Sequence, residues 1–116
     1  MTDSCKLSDK KCGPCNHKTP PLSQAQLSEY SMAIPSWEIE RDTSTPKIKR
    51  DFTFKNFLLA MAFINKMAVI AEEEGHHPDF RLYNYRNVSV SLTTHAIHNL
   101  SENDFIVAAK IDAITV

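Results

Sequence analysis

The sequence contains very little glycine. Only Gly13 and Gly75 occur among its 116 residues. A phosphate-binding loop needs several glycines close together, because its backbone approaches the phosphates closely and adopts conformations that other residues avoid. The scarcity of glycine therefore excludes the classical nucleotide-binding folds.

An excess of charge of one sign is absent as well. The chain has 13 basic and 14 acidic residues, which gives a net charge of −1. Nucleic-acid phosphates and anionic membrane surfaces attract proteins that carry clustered positive charge. We therefore expect no direct nucleic-acid partner and no membrane partner.

Long apolar runs are also missing. The first thirty residues contain no run of signal-peptide length, and the apolar stretch from Phe57 to Ala71 is interrupted by Asn65 and Lys66. A membrane-spanning helix needs about 20 consecutive apolar residues, which this stretch does not provide. We expect a soluble, cytoplasmic protein, and a chain of this length suits a single domain.

All three cysteines lie near the N-terminus, among lysines and prolines. Cys12 and Cys15 have the dithiol spacing of thioredoxin-like redox sites, but those sites need a strand before them and a helix after them. Together with Cys5 and His17 they could instead form a Cys3His zinc site, although one short knuckle without a second cysteine pair is weak evidence. The favoured interpretation is a flexible tail over residues 1–21 that carries reduced thiols.

The rest of the chain alternates between helical and extended patterns. Helical spacing of apolar residues predicts three helices, over Leu22 to Ile34, over Lys55 to Glu74 and from the N-cap Ser101 onward. Alternation of apolar and polar residues predicts two hairpins, Trp37 to Phe54 with a turn at Asp42 to Pro46, and Phe80 to Thr93 with a turn near Arg86-Asn87. This pattern predicts an α+β fold in the order α-β-β-α-β-β-α, a four-stranded antiparallel sheet with three helices packed on one face.

The central helix is unusually apolar at its start. Residues Phe57 to Ile64 are eight consecutive apolar residues, which cover more of the helix circumference than one sheet face can bury. The helix is then either enclosed between the sheet and another helix or used as a subunit interface. The second interpretation predicts a homo-oligomer, a homodimer or homotetramer.

The stretch Glu72 to Pro78 is where we expect the chemistry. Gly75 is suited to close the central helix in the left-handed conformation, and Pro78 prevents the helix from restarting. His76 and His77 then lie just past the helix C-terminus. Glu72 is four residues before His76, so its carboxylate could reach that imidazole if the last turn stays helical.

A third histidine belongs to the last strand. If the alternation of the strand continues to its end, His95 shares the polar face with Ser89 and Ser91, where a ligand can reach it. Two other interpretations stay open at this point. His76 could simply cap helix carbonyls, and His76, His77 and His95 could bind a metal, although their spacing matches no standard zinc motif.

These residues form a spaced pattern. Glu72 is followed after three residues by His76-His77-Pro78, after six more by Tyr85, after nine by His95 and after eight by Asp104. The pattern resembles the signature of the pterin-4a-carbinolamine dehydratases. The similarity continues in order through Trp37-Glu38, Phe52-Thr53-Phe54 and Leu100-Ser101-Glu102 and covers residues 22–116, which we take as the domain. Members of that family usually carry Arg before the aspartate, where this chain has Asn103.

The resemblance implies an activity and a set of roles. The family dehydrates a 4a-hydroxytetrahydropterin to the quinonoid dihydropterin, in the recycling of tetrahydrobiopterin-type cofactors, without a metal or organic cofactor of its own. His76 and His95 would be the acid/base pair, and His77 would orient the pterin. Glu72 would position the first histidine.

Three further residues receive roles by the same resemblance. Thr93 and Thr94, next to His95, would offer hydrogen bonds to the pterin ring. Asp104 would contact the substrate, or it could be only an acidic residue of the first turn of the last helix.

A second function follows from the same family. Vertebrate members also bind and stabilise the dimer of a homeodomain transcription factor through helical surface. The apolar helix would therefore serve as a protein-interaction module in the alternative interpretation, whereas the presence of all three histidines favours an enzyme.

Overall fold

The computed structural model describes residues 7–13, 19–41 and 44–116. The helices and strands are, in chain order, α1 (Gln24–Ala33), β1 (Glu38–Glu40), β2 (Lys47–Thr53), α2 (Phe57–Glu74), β3 (Asp79–Tyr83), β4 (Asn87–Leu92) and α3 (Glu102–Asp112). Two short 3-10 helices, Leu7–Asp9 and His95–Ile97, accompany them. The predicted order of elements is confirmed.

The four strands form one antiparallel sheet in the order β1-β2-β4-β3. Each predicted hairpin pairs its own two strands. Strands β2 and β4 pair with each other and so join the two hairpins, with Ile48 of β2 opposite Leu92 of β4. The first turn includes residues 42 and 43, which lie outside the described residues. The second turn falls slightly earlier than predicted, because Asn84 and Tyr85 adopt the left-handed conformation and Asn87 already pairs within β4.

One face of the sheet carries the core. Val88 and Val90 of β4 have no exposed surface, while the serines between them point to the other face. Phe63 from α2 and Phe105 from α3 are buried in the same core cluster. The three helices therefore lie on one face of the sheet, as predicted, and the alternation along β4 explains why the other face is polar.

The helix boundaries follow from side-chain caps. The Ser23 hydroxyl accepts the backbone N–H of Gln26 at the start of α1. Asn56 caps α2 by accepting the Leu59 N–H at 2.9 Å, so that helix begins slightly later than predicted. Gly75 ends α2 with φ of 64°, as predicted, because only a residue without Cβ takes this conformation without strain.

The apolar start of α2 is only partly buried. Ala60, Phe63 and Ile64 face the core, whereas Phe57 is 48% and Leu58 77% exposed. The helix is thus not enclosed on all sides within one chain. Self-association through this surface stays a prediction.

The N-terminal residues 7–13 pack against α3. Leu7 is buried in the core cluster, Lys10 forms an ion pair with Glu102 at 2.7 Å, and the Lys110 ammonium donates to the Ser8 carbonyl at 2.8 Å. Cys5, Cys15 and His17, named above for a redox or zinc site, lie outside the described residues. Residues 7–13 are therefore packed on the domain, and the flexible tail assigned to residues 1–21 stays a prediction only outside them.

Within residues 7–13, 19–41 and 44–116, no helix is both long and apolar enough to cross a membrane. The same residues contain no group of three or more His, Cys, Asp or Glu side chains arranged to hold a metal ion.

Candidate active site

The end of α2 places the first two histidines. Gly75 turns the chain out of the helix, and the His76 N–H still donates to the Ala71 carbonyl at 3.2 Å. Pro78 follows, and β3 begins at the next residue. His76 and His77 therefore lie in a short connection between a helix end and an edge strand, fixed on both sides.

His76 contacts the aspartate at the start of α3. Its Nε2 lies 2.6 Å from Asp104 Oδ1, and Asp104 has no exposed surface. The other carboxylate oxygen accepts the Ser101 N–H at 3.0 Å and the Thr94 hydroxyl at 2.8 Å. Since a carboxylate accepts hydrogen bonds, it favours the tautomer of His76 that carries the proton on Nε2, in which Nδ1 is the acceptor.

Asp104 lies in the first turn of α3, as one of its two predicted roles requires, and it has no exposed surface. It is the third residue of α3 and forms a capping box with Ser101. Sequence reasoning missed its contact with His76, which is 28 residues away. The only signal was that Asp104 belongs to the spaced histidine pattern.

Glu72 pairs with the second histidine and not with the first, so the expected Glu72–His76 contact is wrong. The His77 Nε2 lies 2.6 Å from Glu72 Oε2, and the two side chains are 61% and 78% exposed. The reason is the left-handed Gly75, which ends the helical register and allows His76 to point to α3 instead.

His95 is accessible, but not through strand alternation. Strand β4 ends at Leu92, and Thr94 pairs with Asn99 in an isolated bridge. His95 then opens the second 3-10 helix, where it is exposed. A local turn, rather than continued pleating, presents its imidazole.

The two threonines point in different directions. The Thr93 hydroxyl donates to the Pro46 carbonyl at 2.7 Å and is not part of the histidine surroundings. The Thr94 hydroxyl lies 2.7 Å from the Ser101 hydroxyl and also bonds Asp104, and Thr94 is buried. Thr94 therefore supports the aspartate beneath His76.

The three histidines line one cleft of about 430 Å³, which we call the histidine cleft. Its other lining residues are Cys12, Gly13, Glu74, Gly75, Thr94, Ala96 and Asn103. Glu74 and Asn103 are sequence neighbours of the expected site residues but were not predicted to line the site, and Cys12 and Gly13 were placed outside the domain. No local pattern marks Cys12 and Gly13, because they reach the cleft only through the packing of distant segments.

Glu74 is the acidic residue in the cleft wall. The backbone N–H of Cys12 donates to it and lowers the pKa of the Glu74 carboxyl, an effect that the nearby Lys110 ammonium reinforces against the opposing effect of burial. Glu74 is therefore ionised at neutral pH. The arrangement offers a potential proton donor, a potential proton acceptor and a fixed imidazole tautomer around one ligand-sized space.

The chain is similar in sequence to known proteins. Residues 20–114 match the model of the family described as pterin 4 alpha carbinolamine dehydratase. A relative from Nitrosospira multiformis, provisionally named a pterin-4-alpha-carbinolamine dehydratase, is 44% identical over 93% of this chain and 91% of its own length. Pterin-4-alpha-carbinolamine dehydratase 2, mitochondrial, of Arabidopsis thaliana is 40% identical over 95% of this chain and 59% of its own.

Solved structures are similar as well. A Brucella melitensis protein described as a transcriptional coactivator/pterin dehydratase superposes with a TM-score of 0.73 and 31% identity, covering 81% of this chain and 97% of its own. A pterin dehydratase-like protein, identified as a RuBisCO assembly factor in the alpha-carboxysome, superposes with a TM-score of 0.57 and 26% identity over 67% of this chain and 87% of its own.

Proposed function

The chain belongs to the pterin-4-alpha-carbinolamine dehydratase family, and from this premise we propose that it dehydrates a 4a-hydroxytetrahydropterin to the quinonoid dihydropterin. The supporting observation is that three histidines line one cleft and that one of them is held by a buried carboxylate. Such a substrate is the hydroxylated cofactor of aromatic amino-acid hydroxylases, so the reaction would recycle a tetrahydrobiopterin-type cofactor.

The reaction requires two proton transfers. The bond between C4a and its hydroxyl group breaks while the N5 lone pair forms a double bond to C4a. One group protonates the departing hydroxyl, which leaves as water, and another removes the N5 proton. The protons balance and the dehydration is redox-neutral, so the proposed reaction needs no oxidant or reductant, and the proposal includes no metal or organic cofactor.

We assign the two proton transfers to His76 and His95. Histidine suits both roles, since the unperturbed imidazole titrates near neutral pH. His76 would act through Nδ1, because Asp104 accepts the proton on Nε2 at 2.6 Å. His77, paired with the exposed Glu72, would orient the pterin ring from the same cleft.

Asp104 and Thr94 would be positioning residues. The carboxylate has no exposed surface, and the Thr94 hydroxyl is occupied by hydrogen bonds to it and to Ser101. Both would act through His76 and not through direct bonds to the substrate. Thr93, which bonds the Pro46 carbonyl, has no role in this proposal.

Stopped-flow measurement of carbinolamine breakdown, with and without the protein, tests the proposal. We expect wild-type protein to accelerate it and His95→Ala to lower kcat about 100-fold or more, since a positioned acid or base contributes at least that much. His98→Asn is the matched control, because His98 is exposed, lies outside the cleft lining and has φ of 50°, which Asn tolerates. A His95→Ala protein with wild-type kcat would refute the mechanism.

An interaction function is the second candidate. The exposed apolar residues Phe57, Leu58 and Val69 of α2 favour it, and the two structural relatives are described as a coactivator and an assembly factor. The same surface would support a homodimer or homotetramer. Light scattering that gives a monomer mass for wild-type protein would refute self-association. A Leu58→Asp variant that stays active but becomes monomeric would separate self-association from catalysis.

We propose that the protein acts in the cytoplasm, with the pterin as its small-molecule partner. The Arabidopsis relative is named mitochondrial, so the family is not restricted to one compartment. Fractionation of cells that express the native chain would test the assignment.

A further inference from the structure

Part of the wall of the histidine cleft comes from the N-terminal segment. Cys12 and Gly13 line the cleft together with the three histidines, although they precede Gly75 by more than sixty positions. The contacts that hold this segment are formed by the end of α2 and the start of α3. These are the same two helix ends that position His76.

The Asn103 side chain binds both backbone polar groups of Gly13. Its Oδ1 accepts the Gly13 N–H at 3.0 Å, and its Nδ2 donates to the Gly13 carbonyl at 2.7 Å. Asn103 is only 7% exposed, and its backbone carbonyl lies 3.8 Å from the Cys12 sulfur. A side-chain amide that pairs with a donor and an acceptor at once fixes the segment in both position and direction.

Glu74 provides a second attachment one residue earlier. Its Oε1 accepts the Cys12 N–H at 2.8 Å, and its Oε2 lies 3.6 Å from the Lys110 ammonium. The Glu74 side chain is 4% exposed. A hydrogen bond to a buried carboxylate is stronger than one between neutral groups, so this attachment adds to that of Asn103.

The segment is also anchored outside the cleft. Lys10 pairs with Glu102, which in turn accepts the Tyr30 hydroxyl at 3.0 Å, and Leu7 is buried in the core cluster. Attachments on both sides of Lys11 restrict the freedom of the residues between them. The wall is therefore held by contacts within the chain itself.

We propose that residues 10–13 are a fixed wall of the substrate cleft, and that Asn103 and Glu74 are positioning residues that hold this wall against the bound pterin. The inference rests on the proposed function. Two of the ten residues that line the cleft belong to this segment, so its release would open the cleft to water and remove contact surface from the substrate. It contributes no acid or base, so it would affect substrate and transition state alike and act on KM while sparing kcat.

The test compares two asparagine replacements in the full-length protein. Asn103→Ala removes both hydrogen bonds to Gly13, so we expect KM to rise about tenfold, as the loss of two hydrogen bonds predicts, with kcat nearly unchanged. Asn87→Ala is the matched control, because Asn87 accepts the Thr53 hydroxyl on the sheet and does not line the cleft. It should leave both constants unchanged.

Hydrogen exchange shows whether the wall has been released. In Asn103→Ala, the amides of Cys12 and Gly13 should exchange faster, whereas those of β4 should not. Faster exchange together with an unchanged KM would overturn the proposal. If Asn103→Ala does not fold, Glu74→Gln replaces it in this test, because Gln keeps the shape of the side chain. We expect Glu74→Gln to raise KM by a smaller factor.

Thiol alkylation tests the wall in wild-type protein. The rate at which N-ethylmaleimide modifies Cys12, followed by tandem mass spectrometry, should fall severalfold when 7,8-dihydrobiopterin saturates the cleft. No protection by this pterin would overturn the proposal even in an active enzyme. If wild-type protein showed no dehydratase activity, the proposed function would fail instead, and the protection experiment would still decide whether a pterin lies against Cys12.

Discussion

Asp104→Asn preserves the size of the buried side chain beneath His76 while it removes the negative charge. The amide oxygen of Asn can still accept from the Ser101 N–H and the Thr94 hydroxyl, so the amide NH2 would face His76 Nε2. An NH2 group donates, and His76 must then accept on Nε2 and carry its proton on Nδ1. Nδ1, through which we propose that His76 acts, would then carry a proton and could no longer accept one from the substrate.

The expected magnitudes separate catalysis from stability. Misplacing the proton of a catalytic imidazole removes most of what that group contributes, so kcat should fall about 100-fold or more. The free energy of unfolding should fall by only about 1 kcal/mol, because the three hydrogen bonds of Asp104 to His76, Thr94 and Ser101 become neutral ones while the cost of burying a charge is removed. For a domain of this size that lowers Tm by about 4 °C.

Asp104→Ala would behave differently. It leaves the buried Ser101 N–H and Thr94 hydroxyl without the carboxylate that accepts from them, at about 1–3 kcal/mol for each group. We expect that variant to be strongly destabilised. Its low activity would therefore not distinguish positioning from unfolding, which is why Asn is the informative replacement.

Stopped-flow kinetics and 15N NMR of the His76 ring measure the two effects directly. Asp112→Asn is the matched control, because Asp112 also bonds two side chains, the Trp37 indole and the Arg50 guanidinium, but does not line the cleft. It should lose stability and keep kcat. An Asp104→Asn protein with wild-type kcat, or with His76 still protonated on Nε2, would refute the reasoning.

Three further predictions concern the end of α2 and the N-terminal segment. His77→Ala should raise KM and leave kcat unchanged. Glu72→Gln should change KM only slightly, since an exposed ion pair contributes about 0–1 kcal/mol. Equal changes of KM for the two variants in steady-state kinetics would argue against a larger role for His77 than for Glu72. Gly75→Ala should lower the free energy of unfolding by about 1 kcal/mol, because φ of 64° is strained for a residue with Cβ. A steric clash does not contribute, since no atom lies within 4 Å of the added Cβ. An unchanged Tm in thermal unfolding would contradict the strain argument. The Cys12 N–H lowers the pKa of Glu74, and Lys10 lowers the pKa of Glu102, both from an ordinary value of 4.5. The stability that these carboxylates contribute is therefore complete above that pH and is lost as pH falls through the lowered values. Amide shifts of residues 12 and 13 in an NMR titration should report this release, and shifts that stay constant until the whole protein unfolds in acid would refute it.

Much of the fold could be predicted from the sequence, because its signals are local. Alternation along β4, the Ser23 cap and the left-handed Gly75 depend on residues within a few positions of each other, and local backbone preferences act over that range. The positions of His76 and His77 just after a helix end follow from the same rules. The boundaries shifted where a cap such as Asn56 was not recognised.

The contacts that complete the site depended on tertiary structure. Asp104 reaches His76 because α3 packs on the sheet beside the end of α2, and nothing within either segment specifies that distance. The same packing brings Gly13 to Asn103, 90 residues later in the chain. Residue types and periodicity thus determined the elements and the candidate histidines, whereas the partners of those histidines and the wall of the cleft were decided by how distant segments bury a common core, which no local preference encodes.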